Sequence, residues 1–174
     1  MNLFEGLILG LIQGLTEFIP VSSSGHLILI REFLGFGSQN SLAVDAVLQL
    51  ATILAVLVYF RKDLLLLLKT AIAFLKGEDI EKKNKNLLFA IFFGTIPALV
   101  LGLLFENYME TVWRSSTLVA VSLILGSLLM LYAEKKISKP KDLNTRKGFI
   151  IGLFQSLALV PGFSRSGATI SGGM

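Results

Sequence analysis

A carboxylate, three consecutive serines and an imidazole fall close together near the start of this chain, in the run QGLTEFIPVSSSGH from Gln13 to His26. The hydroxyls of Ser22, Ser23 and Ser24, the backbone amides of the same elbow and the His26 ring can all converge on one anion. Imidazole is also the side chain suited to proton transfer near neutral pH. A second run of the same kind, LVPGFSRSGAT from Leu159 to Thr169, carries Arg165 where the first carries an acid. A guanidinium grips oxyanions bidentately and stays charged when buried. If the fold joins the two runs, they form an acid, hydroxyl and guanidinium set around a single anionic ligand.

The elements that must position these groups follow from spacing. Gly6, Gly10, Gln13 and Glu17 succeed one another at intervals of four, three and four, along one face of a helix. Pro20 ends that helix, because proline lacks an amide hydrogen and the residue before it avoids helical backbone. Pro161-Gly162 breaks the last apolar run in the same way.

Composition sets the class. With 53% hydrophobic and 16% charged residues and a mean hydropathy of +0.74, the chain reads as a polytopic integral membrane protein, all-α. Ser41 to Phe60, Leu87 to Phe105 and Ser116 to Ala133 are apolar blocks, each long enough to cross a hydrocarbon core of about 30 Å. Leu64 to Leu75 is shorter, contains Lys69, and reads as a short or interfacial helix or part of a span. The first apolar run lacks a basic start and contains Glu5, Gln13 and Glu17, unlike a cleavable signal peptide. There is no cysteine, which excludes disulfide and thiol chemistry.

The net charge of +4 follows the membrane's rule and points to no nucleic-acid partner. Seven basic residues lie between Arg61 and Lys85 and six between Glu134 and Lys147, which makes both loops cytoplasmic; Arg31 to Asn40 and Glu106 to Ser115 hold one each and read as external. A carboxylate within the membrane is expensive and marks function. Broken helices at that depth are tolerated only where protein or water surrounds them. Both end segments are therefore expected to be re-entrant.

A shift of 142 positions places Gly6 on Gly148, Gly10 on Gly152 and Gln13 on Gln155, and after a slip of one residue Pro20 falls on Pro161. Glycine is common in closely packed membrane helices and gives one explanation. The other is an inverted repeat in which two broken helices enter from opposite faces and meet at a central site. On that reading 1–174 is one transmembrane domain, holding a first repeat and, over about 148–174, the start of a second.

At these motifs the sequence resembles the undecaprenyl-diphosphate phosphatase family, the bacitracin-resistance phosphatases. The family's (E/Q)-x3-E signature reads Gln13-Gly14-Leu15-Thr16-Glu17 here, its elbow reads Pro20-Val21-Ser22-Ser23-Ser24-Gly25-His26, and its second signature reads Pro161-Gly162-Phe163-Ser164-Arg165-Ser166-Gly167-Ala168-Thr169. Family members are longer, so the resemblance implies a C-terminally truncated sequence whose activity alone is in question. It further implies an enzyme of the bacterial inner membrane, with its active site facing outward. That enzyme hydrolyses undecaprenyl diphosphate to the monophosphate and phosphate, recycling the cell-wall lipid carrier and conferring bacitracin resistance.

Phosphoryl transfer needs charge neutralisation, an aligned nucleophile and a proton acceptor. Arg165 is expected to grip the phosphates; its alternative is an interfacial arginine that snorkels. Glu17 is a general base or, with Gln13, a ligand for Mg2+ or Ca2+ bridging the diphosphate; the alternatives are a neutral buried carboxyl and a helix-packing amide. Ser23 is chosen as nucleophile or nearest phosphate contact and His26 as proton carrier. Phosphohistidine formation or direct attack by water would use the same residues. Ser22 and Ser24, and opposite them Ser164, Ser166 and Thr169, are expected to bind the substrate, although serines at turns are commonly caps. Asp45 and Gln49 are placed at the entrance, Pro97 is expected to kink its helix, and Trp113 reads as an interfacial anchor. Self-association is compatible with these motifs but not read from them. The competing classes are a lipid or small-molecule transporter or flippase of the same architecture and a structural membrane subunit.

Overall fold

The computed structural model describes residues 2–37, 41–110, 113, 115–137 and 142–174. Among them the secondary structure is helical throughout: α1 (Leu3–Thr16), α2 (Ser23–Leu34), α3 (Ser41–Tyr59), α4 (Arg61–Leu75), α5 (Lys82–Glu110), α6 (Ser116–Glu134), α7 (Thr145–Ser156), a single 3-10 turn (Leu157–Leu159) and α8 (Arg165–Gly173). Three helices, α3, α5 and α6, are long and apolar enough to cross a membrane, and they coincide with the three apolar blocks. The short Leu64 to Leu75 segment is the greater part of α4, separated from α3 by Phe60. Arg114, Lys139 and Lys141, which enter the loop-charge pattern, lie outside the described residues.

Burial is that of a membrane protein. Large apolar side chains such as Leu7, Phe33, Val47, Leu103 and Ile124 face outward, while the buried polar set, Gln13, Ser22, Arg31, Thr52, Thr70, Ser122 and Ser171, is as large as the buried apolar one. Lipid solvates the first group, so nothing drives it inward; the polar groups must find partners within the protein.

Each helix end has a local cause. Asn2 and Glu5 form a reciprocal capping box at the start of α1. That helix stops at Thr16, and Glu17 is its C-cap, still in helical backbone with its amide on the Gln13 carbonyl. The following Pro20 excludes another turn. Gly35 ends α2 in the left-handed conformation. Helix α5 continues through Pro97, leaving the Phe93 carbonyl without its usual donor. Trp113 lies against Phe105, with ring centroids 5.8 Å apart.

The two elbows, residues 17–22 and 160–164, are brought together over α6. Val119 of α6 is fully buried, and a Cβ built on Gly25 would lie 3.4 Å from its side chain and 3.3 Å from the Cα of Gly162. Gly162 itself rests on the Val119 carbonyl and the Ser122 side chain. Leading into the second elbow, α7 packs into α5 backbone to backbone, through Gly148 against Ala90 and Gly152 against Gly94.

Candidate active site

Glu17 is held at the end of α1 by three donors. Its Oε2 accepts from Gln13 Nε2 at 2.9 Å and from Ser23 Oγ at 2.5 Å, and its Oε1 accepts from Gln49 Nε2 at 2.8 Å. Gln13, one turn back on α1, is buried and also donates to Gln49 Oε1 at 3.3 Å and Thr52 Oγ1 at 3.5 Å. A carboxylate only accepts hydrogen bonds, and every neighbour here donates to it.

Ser22 caps α2, accepting from the Gly25 amide at 3.3 Å. Ser23 and Ser24 are the first two residues of that helix. Ser164 caps α8 in the same manner, accepting from the Gly167 amide at 3.1 Å, and Arg165 and Ser166 open the helix. The Oγ atoms of Ser164 and Ser166 are 3.0 Å apart; those of Ser22 and Ser24 are 3.5 Å apart.

A polar cavity of about 60 Å³ is lined by Glu17, Ser22, Ser23, Ser24, Gln49, Ser164, Arg165 and Ser166, with Thr16, Ala158 and Phe163 completing the wall. At about 10–15 Å³ per water, that is space for a few waters or one phosphate group. Glu17 and Arg165 are the charged residues on this wall. The first turns of α2 and α8 both face it, and helix N-termini present unpaired amides to anions. Ser24, Ala158 and Arg165 also border a larger groove of about 530 Å³, whose other walls are mostly apolar, Leu42, Leu99, Leu103, Met109, Leu159 and Pro161 among them, with Glu106 the further charged residue.

The remaining expected residues stand apart from the cavity wall. Gln13 lies behind Glu17. His26 is half-buried in α2, with Nδ1 2.8 Å from the Ser22 carbonyl, and that contact makes Nδ1 the protonated nitrogen. Thr169 donates to the Arg165 carbonyl at 2.9 Å, within its own helix. Asp45 pairs with Arg31, Nη2 to Oδ1 at 2.5 Å, whereas Gln49 is at the centre of the site rather than at its entrance. Thr52 was not anticipated at all. The available signal was the spacing of Asp45, Gln49 and Thr52 at four and three along apolar α3, the same polar stripe that singles out Gln13 and Glu17 on α1.

A family model described as "Bacitracin resistance protein BacA" matches residues 6–174. The chain belongs to that family. Curated relatives of the chain bear the name undecaprenyl-diphosphatase. That of Thermobifida fusca is 43% identical over 178 residues, that of Chlorobaculum tepidum 41% over 185 and that of Myxococcus xanthus 40% over 181. Each alignment takes in 100% of this chain and, respectively, 61%, 65% and 60% of the relative, so the chain spans about three-fifths of their length. With three of the described helices long and apolar enough to cross a membrane in a BacA-family chain, the protein is a multi-pass membrane protein.

For a divalent cation the donor set is sparse. No three His, Cys, Asp or Glu side chains converge among the described residues, and Glu17 already accepts from Gln13, Ser23 and Gln49. Glu17 is the one carboxylate on the cavity wall, so a divalent cation there would have a single protein carboxylate as ligand.

Proposed function

We propose that this protein hydrolyses undecaprenyl diphosphate to undecaprenyl phosphate and phosphate at the outer face of a bacterial inner membrane. One observation carries the reading: the Ser23 hydroxyl points at Glu17 Oε2 inside a cavity whose facing wall is Arg165 on the N-terminus of α8. The names of the relatives favour hydrolysis over transport.

The chemistry follows from these positions. Ser23 Oγ attacks the terminal phosphorus as its proton passes to Glu17. The bond from that phosphorus to the bridging oxygen breaks, the bridging oxygen takes the proton from Glu17, and undecaprenyl phosphate leaves. Water then attacks the phosphoserine, giving its proton to the freed carboxylate, and phosphate departs as Ser23 regains the proton held on Glu17. Arg165 and the first amides of α2 and α8 neutralise the charge that develops on the phosphoryl oxygens. Ser22, Ser24, Ser164 and Ser166 ring the same space. A divalent cation held by Glu17 and the diphosphate oxygens would add to that neutralisation. The apolar groove beyond Arg165 gives the prenyl chain a route away from the polar chamber, which a water-soluble diphosphate would not need.

The test is phosphate release from a polyprenyl diphosphate by the purified protein in detergent. Glu17→Ala and Arg165→Ala are expected to keep the wild-type melting behaviour and lose about 100-fold or more in kcat. Absence of turnover in the wild type, or full turnover in both variants, would overturn the assignment. Loss of turnover in chelator, restored by Mg2+, would establish the cation's part.

A further inference from the structure

Gln49 reaches the site from α3, outside both elbows, and its amide is the donor to the second oxygen of Glu17. The direction of that hydrogen bond is dictated by a short chain of partners. Thr52 Oγ1 gives its hydrogen to the Gln49 carbonyl at 2.9 Å, so toward Gln13 it can only accept, and Gln13 turns its Nε2 to it at 3.5 Å. Of the two hydrogens on that Nε2 one serves Glu17 Oε2 at 2.9 Å and the other is shared between Thr52 Oγ1 and Gln49 Oε1, the latter at 3.3 Å; with its Oε1 turned to Gln13, Gln49 presents Nε2 to Glu17. None of Thr52, Gln13 and Gln49 titrates, so this ordering holds across the physiological pH range.

We propose that Gln49 is a positioning residue for Glu17: by holding Oε1 it presents Oε2 to the Ser23 hydroxyl. The inference rests on the hydrolytic reading above and extends it to a residue on a third helix. Without the amide, the Glu17 side chain keeps Gln13 but gains freedom to rotate Oε2 away from Ser23. Misplacing a proton acceptor by about 1 Å costs on the order of 100-fold in rate. Substrate binding, which falls to Arg165 and the helix N-termini, should hardly change.

Two variants of similar size separate positioning from packing. Gln49→Leu removes the donor and is expected to lower kcat by about 10-fold to 100-fold while KM stays within about threefold. Gln49→Glu sets two carboxylates against each other at neutral pH and should be at least as slow. On acidification one shared proton makes the introduced carboxyl a donor again, so its activity relative to wild type at the same pH should recover. Gln49→Leu should show no such recovery. Wild-type kcat in Gln49→Leu, or parallel pH profiles for the two variants, would overturn the proposal. A readout without turnover keeps it distinct from the hydrolytic reading: the Glu17 carboxylate band, isolated by infrared difference against Glu17→Gln, should move in Gln49→Leu. An unmoved band would refute the positioning role whether or not the protein proves to be a phosphatase.

Discussion

The two elbows are the same structural device carrying opposite chemistry. Ser22 and Ser164, 142 positions apart, both cap a helix through the amide three residues on. Ser24 and Ser166 stand beside the caps, and the reactive residue occupies the first helical position, Ser23 in one and Arg165 in the other. They differ in where the backbone turns back. From Pro20 to its cap there are two steps and from Pro161 three. The longer elbow places its left-handed residue at Gly162, with φ of 103°, whereas the shorter one puts the cap itself, Ser22, at φ of 65°. Two elbows capped alike can thus hold a hydroxyl with its carboxylate on one side and a guanidinium on the other, each resolving its turn separately.

Gly162→Ala is the severest test of this contrast. A Cβ there would sit 2.5 Å from the Val119 carbonyl oxygen and 2.7 Å from Ser122 Cβ, in a backbone conformation that L-residues rarely adopt. Left-handed strain and overpacking each cost about 1–3 kcal/mol, and together they should unfold or visibly loosen the contact between the elbows. A melting temperature within a degree of wild type would show that the second elbow is not pinned on α6.

The helices leading into the elbows differ as well. Gly152 of α7 is pressed against α5, so that a Cβ would meet the Gly94 carbonyl oxygen at 2.1 Å; Gly10, its counterpart on α1, has only the Leu48 side chain at 3.8 Å. Gly152→Ala should therefore force two backbones apart, at about 1–3 kcal/mol or more. Gly10→Ala should be neutral, or stabilising by up to about 1 kcal/mol from helix propensity. Thermal unfolding of the two variants side by side gives the comparison, and equal losses would mean that the repeated glycines do one job in both places.

Much of this arrangement was legible beforehand, and the gaps have physical reasons. Hydropathy locates α3, α5 and α6 because lipid imposes length and apolarity on a span. The breaks at Pro20 and Pro161 are legible because proline forbids continuation. Polar stripes also show, but a stripe reveals a face and not what it faces. Gln49 could be placed on one face of α3, yet only packing shows that this face meets Glu17. His26 adds a further case: its place in the motif is legible, but only the fold shows that its Nδ1 is committed to the Ser22 carbonyl. The one-residue slip between the two motifs is where the two turns are solved differently.

The mildest substitution probes that slip directly. Glycine in place of a serine cap loses the side-chain acceptor but only a few tenths of a kcal/mol of helix stability. At Ser164, where φ is −68°, that loss stands alone. At Ser22 it is set against relief of a left-handed serine, about 1 kcal/mol. Ser22→Gly is therefore expected to match or slightly exceed the wild-type melting temperature, while Ser164→Gly falls just below it. Turnover should decline in both if the cap hydroxyls also face the phosphates, so stability and rate would move independently at Ser22 and together at Ser164. The opposite order of melting temperatures would mean that the left-handed turn at Ser22 carries no strain, and that the shorter elbow is as relaxed as the longer one.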